Sequence, residues 1–203
     1  YASVNISERD LCLDIAEKRK AAPLDYVLGH SEFYGLKVAV GSGVLIPRPE
    51  TELLAERAIH AVGAGGRVLD LCCGSGCIAL AVAENTTAEV TAADISETAL
   101  GYARKNLADT AARVVQSDLF SALGGETFDV IVCNPPYIAT AVIETLSPEV
   151  QAEPHEALDG GADGLDVYRR LAAEYAEHLN PGGVLLLEIG YDQGESVPAL
   201  FGG

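Results

Sequence analysis

From position 67 onward the chain settles into a regular alternation. Short apolar runs at 68–71, 90–93, 114–116, 130–133 and 184–189 take turns with segments of helical period at 77–84, 96–108 and 166–179. Runs that are apolar throughout, rather than at every second position, predict strands covered on both faces. The helical segments between them predict parallel connections. The expected fold class is therefore α/β, a mostly parallel sheet with helices on both faces. Asn180-Pro181-Gly182-Gly183 predicts a stop and a turn ahead of the fifth strand.

The first quarter of the chain is patterned differently. Ser7-Glu8-Arg9-Asp10 has the form of a capping box with Asp in the place of Glu or Gln, and it opens a helix expected to reach Lys20, with Pro23 just beyond. Residues 26–40 carry short aromatic and β-branched pieces broken at Gly35, which predict a β-hairpin. A loop follows at 41–49, and Pro49 suits the first turn of a helix on which Leu54, Ala58 and Ala61 share one face. The expected organisation is an N-terminal helical piece at 1–22, a hairpin linker at 23–48 and the α/β domain at 49–203.

Composition narrows the class. The 203 residues are 49% hydrophobic, and 13 basic against 30 acidic side chains give a net charge of −17. That balance disfavours long-range attraction to nucleic acid, whose binding rests on Lys and Arg. The longest purely apolar run, residues 77–83, is far short of the ~20 that span a bilayer, and no charged-then-apolar leader opens the chain. Five cysteines, three of them at Cys72, Cys73 and Cys77, fit neither a disulfide framework nor a zinc site. The expectation is a reduced, cytoplasmic protein without a metal. The chain contains no Met, so it reads as a fragment of something longer.

In an open parallel sheet, ligands bind beyond the carboxyl ends of the strands. The first strand runs into Cys72-Cys73-Gly74-Ser75-Gly76 and then a helix. Gly74 and Gly76 admit a ligand close to the backbone, and the helix start offers free N–H groups. Eighteen positions past Gly76, Asp94 closes the second strand, where an acid accepts hydrogen bonds from ribose hydroxyls. Asp118, after the third strand, could accept from an adenine amine while Leu119 covers the ring. Each feature also has a plain reading, a βα turn or a capping carboxylate. What favours the ligand reading is that Asp70, Asp94 and Asp118 arrive at one end of the sheet from three successive strands. Nicotinamide and sulfonium cofactors both suit this loop, with Ala79 in the third glycine's place.

Asn134-Pro135-Pro136-Tyr137, directly after the fourth strand, carries the chemistry. The prolines remove two N–H donors and hold the loop extended. The Asn134 side-chain oxygen and the Pro135 carbonyl can then receive both hydrogens of a planar –NH₂ group, with Tyr137 laid against the flat substrate. Such a nitrogen is a poor nucleophile because its lone pair is delocalised. Fixing both N–H bonds aims the nitrogen at an incoming methyl, which is catalysis by positioning and preorganisation. The plain alternative is a rigid turn with an aromatic lid.

On these residues the sequence resembles the HemK-like release factor glutamine methyltransferases. The likeness runs through 32–35, 45–52, 70–76, Asp94, 116–122, 134–138, Glu153-Pro154, 182–190 and Gly194-Glu195. It implies a Rossmann-like class I methyltransferase fold, with S-adenosylmethionine as donor. The acceptor it implies is the glutamine of the Gly-Gly-Gln motif in a peptide-chain release factor. By matching position, Cys72, Cys73, Gly74, Ser75, Gly76, Asp94 and Leu119 would line the cofactor. Asn134, Pro135, Pro136 and Tyr137 would hold the glutamine. Phe33 and the run from Arg48 to Glu52 would form the other wall, or for Arg48 and Glu50 would pack the hairpin on the sheet. Three departures are expected to matter: Cys72-Cys73 replaces the family's Gly-Thr, the N-terminal helical domain is reduced to its last helix, and two strands beyond Phe201 are missing. The competing readings are an adenine-amine methyltransferase acting on DNA or RNA, a non-catalytic cofactor-binding module, and a nicotinamide dehydrogenase.

Overall fold

A computed structural model describes residues 22–202 of the chain. The helix expected at 7–20 lies outside the described residues. A short helix α1 (Leu24–Leu28) ends on Gly29 with φ of 74° and leads into strands β1 (His30–Phe33) and β2 (Leu36–Ala39). These pair antiparallel as expected, although residues 26–28 are helical rather than part of the hairpin.

Five further strands make one sheet: β3 (Arg67–Leu71), β4 (Glu89–Asp94), β5 (Arg113–Gln116), β6 (Phe128–Cys133) and β7 (Leu179–Leu187). Their order is β5-β4-β3-β6-β7, with every neighbouring pair parallel. The chain therefore builds outward from β3 in one direction, returns, and builds outward in the other. The reversal lies between β3 and β6, where Leu71 is level with Cys133.

Side-chain alternation divides the apolar strands between two cores. Val68, Val90, Ala92, Val130 and Val132 face helices α2 (Thr51–Ala61), α3 (Cys77–Asn85) and α4 (Glu97–Asn106), together with the hairpin. Leu69, Leu71, Ala93, Ile131 and Cys133 face the other layer, which includes Tyr168 and Leu171 of α7 (Asp166–Glu174). Two small helices, α5 (Thr140–Ile143) and α6 (Pro148–Gln151), precede α7, and α8 (Ser196–Leu200) follows β7. No described helix is long and apolar enough to cross a membrane.

Three further details differ from the sequence expectation. On α2 the buried face is Thr51, Leu54, Ala55 and Ala58, while Ala61 at the helix end is exposed. The predicted helix at 166–179 tightens into a 3₁₀ turn, Tyr175–His178, whose His178 ring stacks on Phe120 with centroids 4.4 Å apart. Asn180-Pro181-Gly182-Gly183 does not precede β7 but interrupts it. Pairing passes from Phe128–Leu179 to Val130–Val184, and Asn180 donates from Nδ2 to Asp129 at 2.8 Å across the excursion.

Candidate functional site

A cavity of about 790 Å³ opens where β3 and β6 part, at the carboxyl ends of the strands. Its floor is the β3–α3 loop. Gly74 has φ of 54°, and a Cβ there would meet nothing nearer than Val44 at 4.0 Å, so the backbone faces open space. Gly76 serves differently. It is buried with φ of 75°, and its absent Cβ leaves room for Ala103 at 3.2 Å, which lets α3 start tight against α4. Asn106 ties this floor to the hairpin, donating from Nδ2 to Ser75 and Ala39 carbonyls and accepting from the Ala39 N–H.

Cys72, in the left-handed region at φ of 57°, stands half-buried on the cavity wall. A side chain in this conformation costs about 1 kcal/mol that glycine would not. Burial pushes the Cys77 thiol up to about 12 and holds Cys73 well above the ordinary thiol range. Both line the cavity as neutral thiols rather than as reactive thiolates.

Asp94 ends β4 with each oxygen already engaged, Oδ2 accepting from Gly74 N–H at 2.8 Å and Oδ1 from Ser96 N–H at 2.9 Å. Burial raises its pKa and these backbone N–H groups oppose the rise. The carboxylate both shapes the loop and keeps lone pairs for a ligand hydroxyl. Asp70 does not reach the cavity. It is fully buried beneath α3, accepting from Ala79 N–H at 2.9 Å, with Oδ1 lacking any partner. Asp118 does line the cavity, but its Oδ1 accepts from Arg170 of α7 at 2.8 Å. Leu119 beside it is buried at φ of 49°.

Asn134 and Pro136 line the same cavity as the glycine loop and Asp94. Pro135 is buried and Tyr137 half-buried, and neither belongs to the cavity wall. Among the described residues no donor reaches the Pro135 carbonyl, so it keeps its acceptor capacity. The Tyr137 hydroxyl donates to Glu188 at 3.4 Å, and burial together with that carboxylate pushes its pKa up to about 12. The ring thus stays a neutral phenol.

The remaining wall comes from segments far apart in sequence. Glu153 is buried and accepts from the Ile46 N–H and from the Arg48 guanidinium, so it joins the loop of residues 41–48 to the strap at 154–159. Arg48, His155, Glu156 and Asp159 all line the cavity beside that joint. The sequence offered the run from Arg48 to Glu52, Thr51 included, only as a wall of the site and left Arg48 and Glu50 between that and packing, while His155, Glu153, Arg170 and Glu188 were given no role. For Glu188 a signal existed: it is the single charged residue in the apolar run 184–189, at the same sheet end as Asp94.

The volume lies within the range of sites that enclose small molecules. The fit to a nucleoside that carries an amino-acid tail is good. An open glycine backbone, a carboxylate with spare lone pairs and the apolar side chains of Ile78, Ile95, Ala99 and Leu119 converge on one space.

A family model described as the methyltransferase small domain matches residues 48–162. A release factor glutamine methyltransferase of Geobacter sulfurreducens is 46% identical over 191 residues, covering 92% of this chain and 67% of the relative. One from Caulobacter vibrioides is 44% identical over 197 residues, covering 93% and 68%. The chain thus spans about two thirds of the length of these relatives. Among solved structures, a methyltransferase from Pyrococcus furiosus superposes with a TM-score of 0.61 at 21% identity, over 95% of this chain and 84% of that one. A ribosomal protein L11 methylase from Lactobacillus delbrueckii subsp. bulgaricus gives 0.57 at 22% identity, over 80% and 72%. Both likenesses concern the fold, which is that of the Rossmann-like methyltransferases.

Proposed function

The chain belongs to the release factor glutamine methyltransferase family, and from that membership we propose that it methylates the side-chain amide of the glutamine in the Gly-Gly-Gln motif of a peptide-chain release factor. The observation that carries the reading is the sharing of one cavity by the glycine loop, Asp94 and Asn134. A donor site and an amide-holding loop thereby open on each other.

S-adenosylmethionine, when bound, supplies an electrophilic methyl on a sulfonium. The chain's own residues do the rest. Gly74 and Ser75 present backbone to the donor's amino-acid end, Asp94 accepts from ribose hydroxyls, and Ile95 and Leu119 cover the apolar face of the base. Asn134 Oδ1 and the Pro135 carbonyl each accept one N–H of the substrate amide. With both hydrogens held, the nitrogen lone pair is oriented toward the donor before bonding begins. The proton leaves after transfer, so no titrating base is required for the methyl step.

The test is to incubate the purified chain with labelled S-adenosylmethionine and a release factor, and to locate the label by mass spectrometry. One methyl on the Gly-Gly-Gln glutamine is expected. Asn134→Ala should lower turnover about 10²–10³-fold, the usual effect of removing one preorganised polar contact, with donor affinity unchanged. Label found on nucleic acid and none on protein would replace this reading with a base-amine methyltransferase.

A further inference from the structure

Asn134 is useful only one way round. Its side-chain amide has an acceptor end and a donor end of nearly the same shape, and the reaction above needs the acceptor toward the substrate. The structure shows what decides the orientation. Asn134 Nδ2 donates to Thr51 Oγ1 at 3.3 Å, and Thr51 Oγ1 donates in turn to Glu188 Oε2 at 2.7 Å. The other carboxylate oxygen accepts from Tyr137. Glu188 is itself fixed at the end of β7: its N–H donates to the Cys133 carbonyl at 3.1 Å, and its carbonyl accepts from the Tyr168 hydroxyl at 2.7 Å.

An ionised carboxylate only accepts hydrogen bonds, and a threonine hydroxyl has one proton. With that proton committed to Glu188, Thr51 has only lone pairs to offer Asn134. The amide must then turn its NH₂ inward, which leaves Oδ1 outward. We propose that Glu188 is a positioning residue that, acting through Thr51, sets the polarity of the Asn134 amide and so makes it an acceptor for the substrate's N–H. The inference deepens the function proposed above and rests on it for its kinetic consequence, though not for the orientation itself.

Glu188→Gln keeps the shape and removes the polarity, because its own NH₂ can donate to Thr51 and release the hydroxyl proton toward Asn134. Turnover should fall about tenfold, the equivalent of one hydrogen bond to a charged group, with donor affinity unchanged. Thr51→Val should give a similar loss and Thr51→Ser should restore most of it. The double variant Glu188→Gln/Thr51→Val should be no slower than either single change, since both cut one chain of contacts. Turnover of Glu188→Gln within twofold of the parent, or losses that multiply in the double variant, would overturn the proposal. Should Glu188→Gln not fold, the contrast between Thr51→Val and Thr51→Ser decides.

A second readout is independent of activity. The Asn134 side-chain NH₂ signal, assigned by its loss in Asn134→Ala, should exchange slowly in the parent and quickly in Thr51→Val. Fast exchange in the parent would overturn the orientation even in a chain that methylates release factors. An inactive parent with a protected NH₂ would instead remove only the substrate reading.

Discussion

Asp70 is an acid held wholly inside the protein. It is fully buried, one oxygen has no partner, and burial pushes its carboxyl up from 3.8 to about 7, with the Ala79 N–H opposing and Asp94 adding to the rise. The folded state therefore holds this proton more tightly than the unfolded chain does. Its contribution to stability is fully present below the ordinary carboxyl value and is lost as pH climbs through about 7. The full swing is on the order of 4 kcal/mol, an upper bound. Urea titrations should show a less stable protein at pH 8 than at pH 5, and Asp70→Asn should remove most of the difference. A residual slope of the same sign is expected from Asp94, whose pKa is also raised by burial. An equal slope in the parent and Asp70→Asn would mean that Asp70 is ionised throughout. Nothing local in Val68-Leu69-Asp70-Leu71 announces this. The sequence shows an acid near a strand end, and only the packing of α3 over it decides that it faces no ligand.

Among the elements, the strands were the most legible, because a strand covered on both faces is apolar at every position. The longer helices were nearly as clear from their period, whereas α1, α5, α6 and α8, of four or five residues each, are too short to show one and were not expected. What failed to show were features set by partners far along the chain. Thr51 meets Glu188 across 137 positions and Ile46 meets Glu153 across 107, and no periodicity encodes either contact. The Asn180-Pro181-Gly182-Gly183 run was read correctly as irregular but was placed ahead of β7, since local turn chemistry does not say where cross-strand pairing resumes. The loop after β6 illustrates the same point. Its prolines are visible, yet its position depends on a glycine cradle below it. A Cβ on Gly164, at φ of 75°, would lie 2.3 Å from the Tyr137 carbonyl oxygen, the atom that also accepts from Gln193 Nε2. Gly164→Ala should cost on the order of 2 kcal/mol by overpacking. On the proposed function it should also lower turnover more than donor affinity, because the loop it displaces is the one assigned to the acceptor. Thermal melting and steady-state kinetics would check this, and a variant with parental turnover would show that the loop has slack.

For the molecule as a whole, the cavity depends on joining segments that belong to different parts of the fold. The Arg48–Glu153 pair is the clearest joint, since the Glu153 side chain is only 2% exposed and also accepts a backbone N–H. Removing one partner of such a pair leaves the other uncompensated. Glu153→Ala should therefore cost on the order of 3 kcal/mol. If the joint holds the cavity walls in register, donor affinity should fall with it, measured by calorimetric titration at a temperature where the variant is folded. Unchanged affinity would show that the walls stay in place without the pair.

The level pairing of Leu71 with Cys133 has one more consequence. On the proposed function, the loop that would seat the donor and the loop that would hold the acceptor leave adjacent strands at the same rung. The distance a methyl group must cross is consequently ruled by peptide hydrogen bonds rather than by side chains or a hinge. One residue inserted in β6 would slide Asn134 by about 3.3 Å and turn it to the opposite face. Such a protein could still bind each reactant and yet never bring them within bonding range.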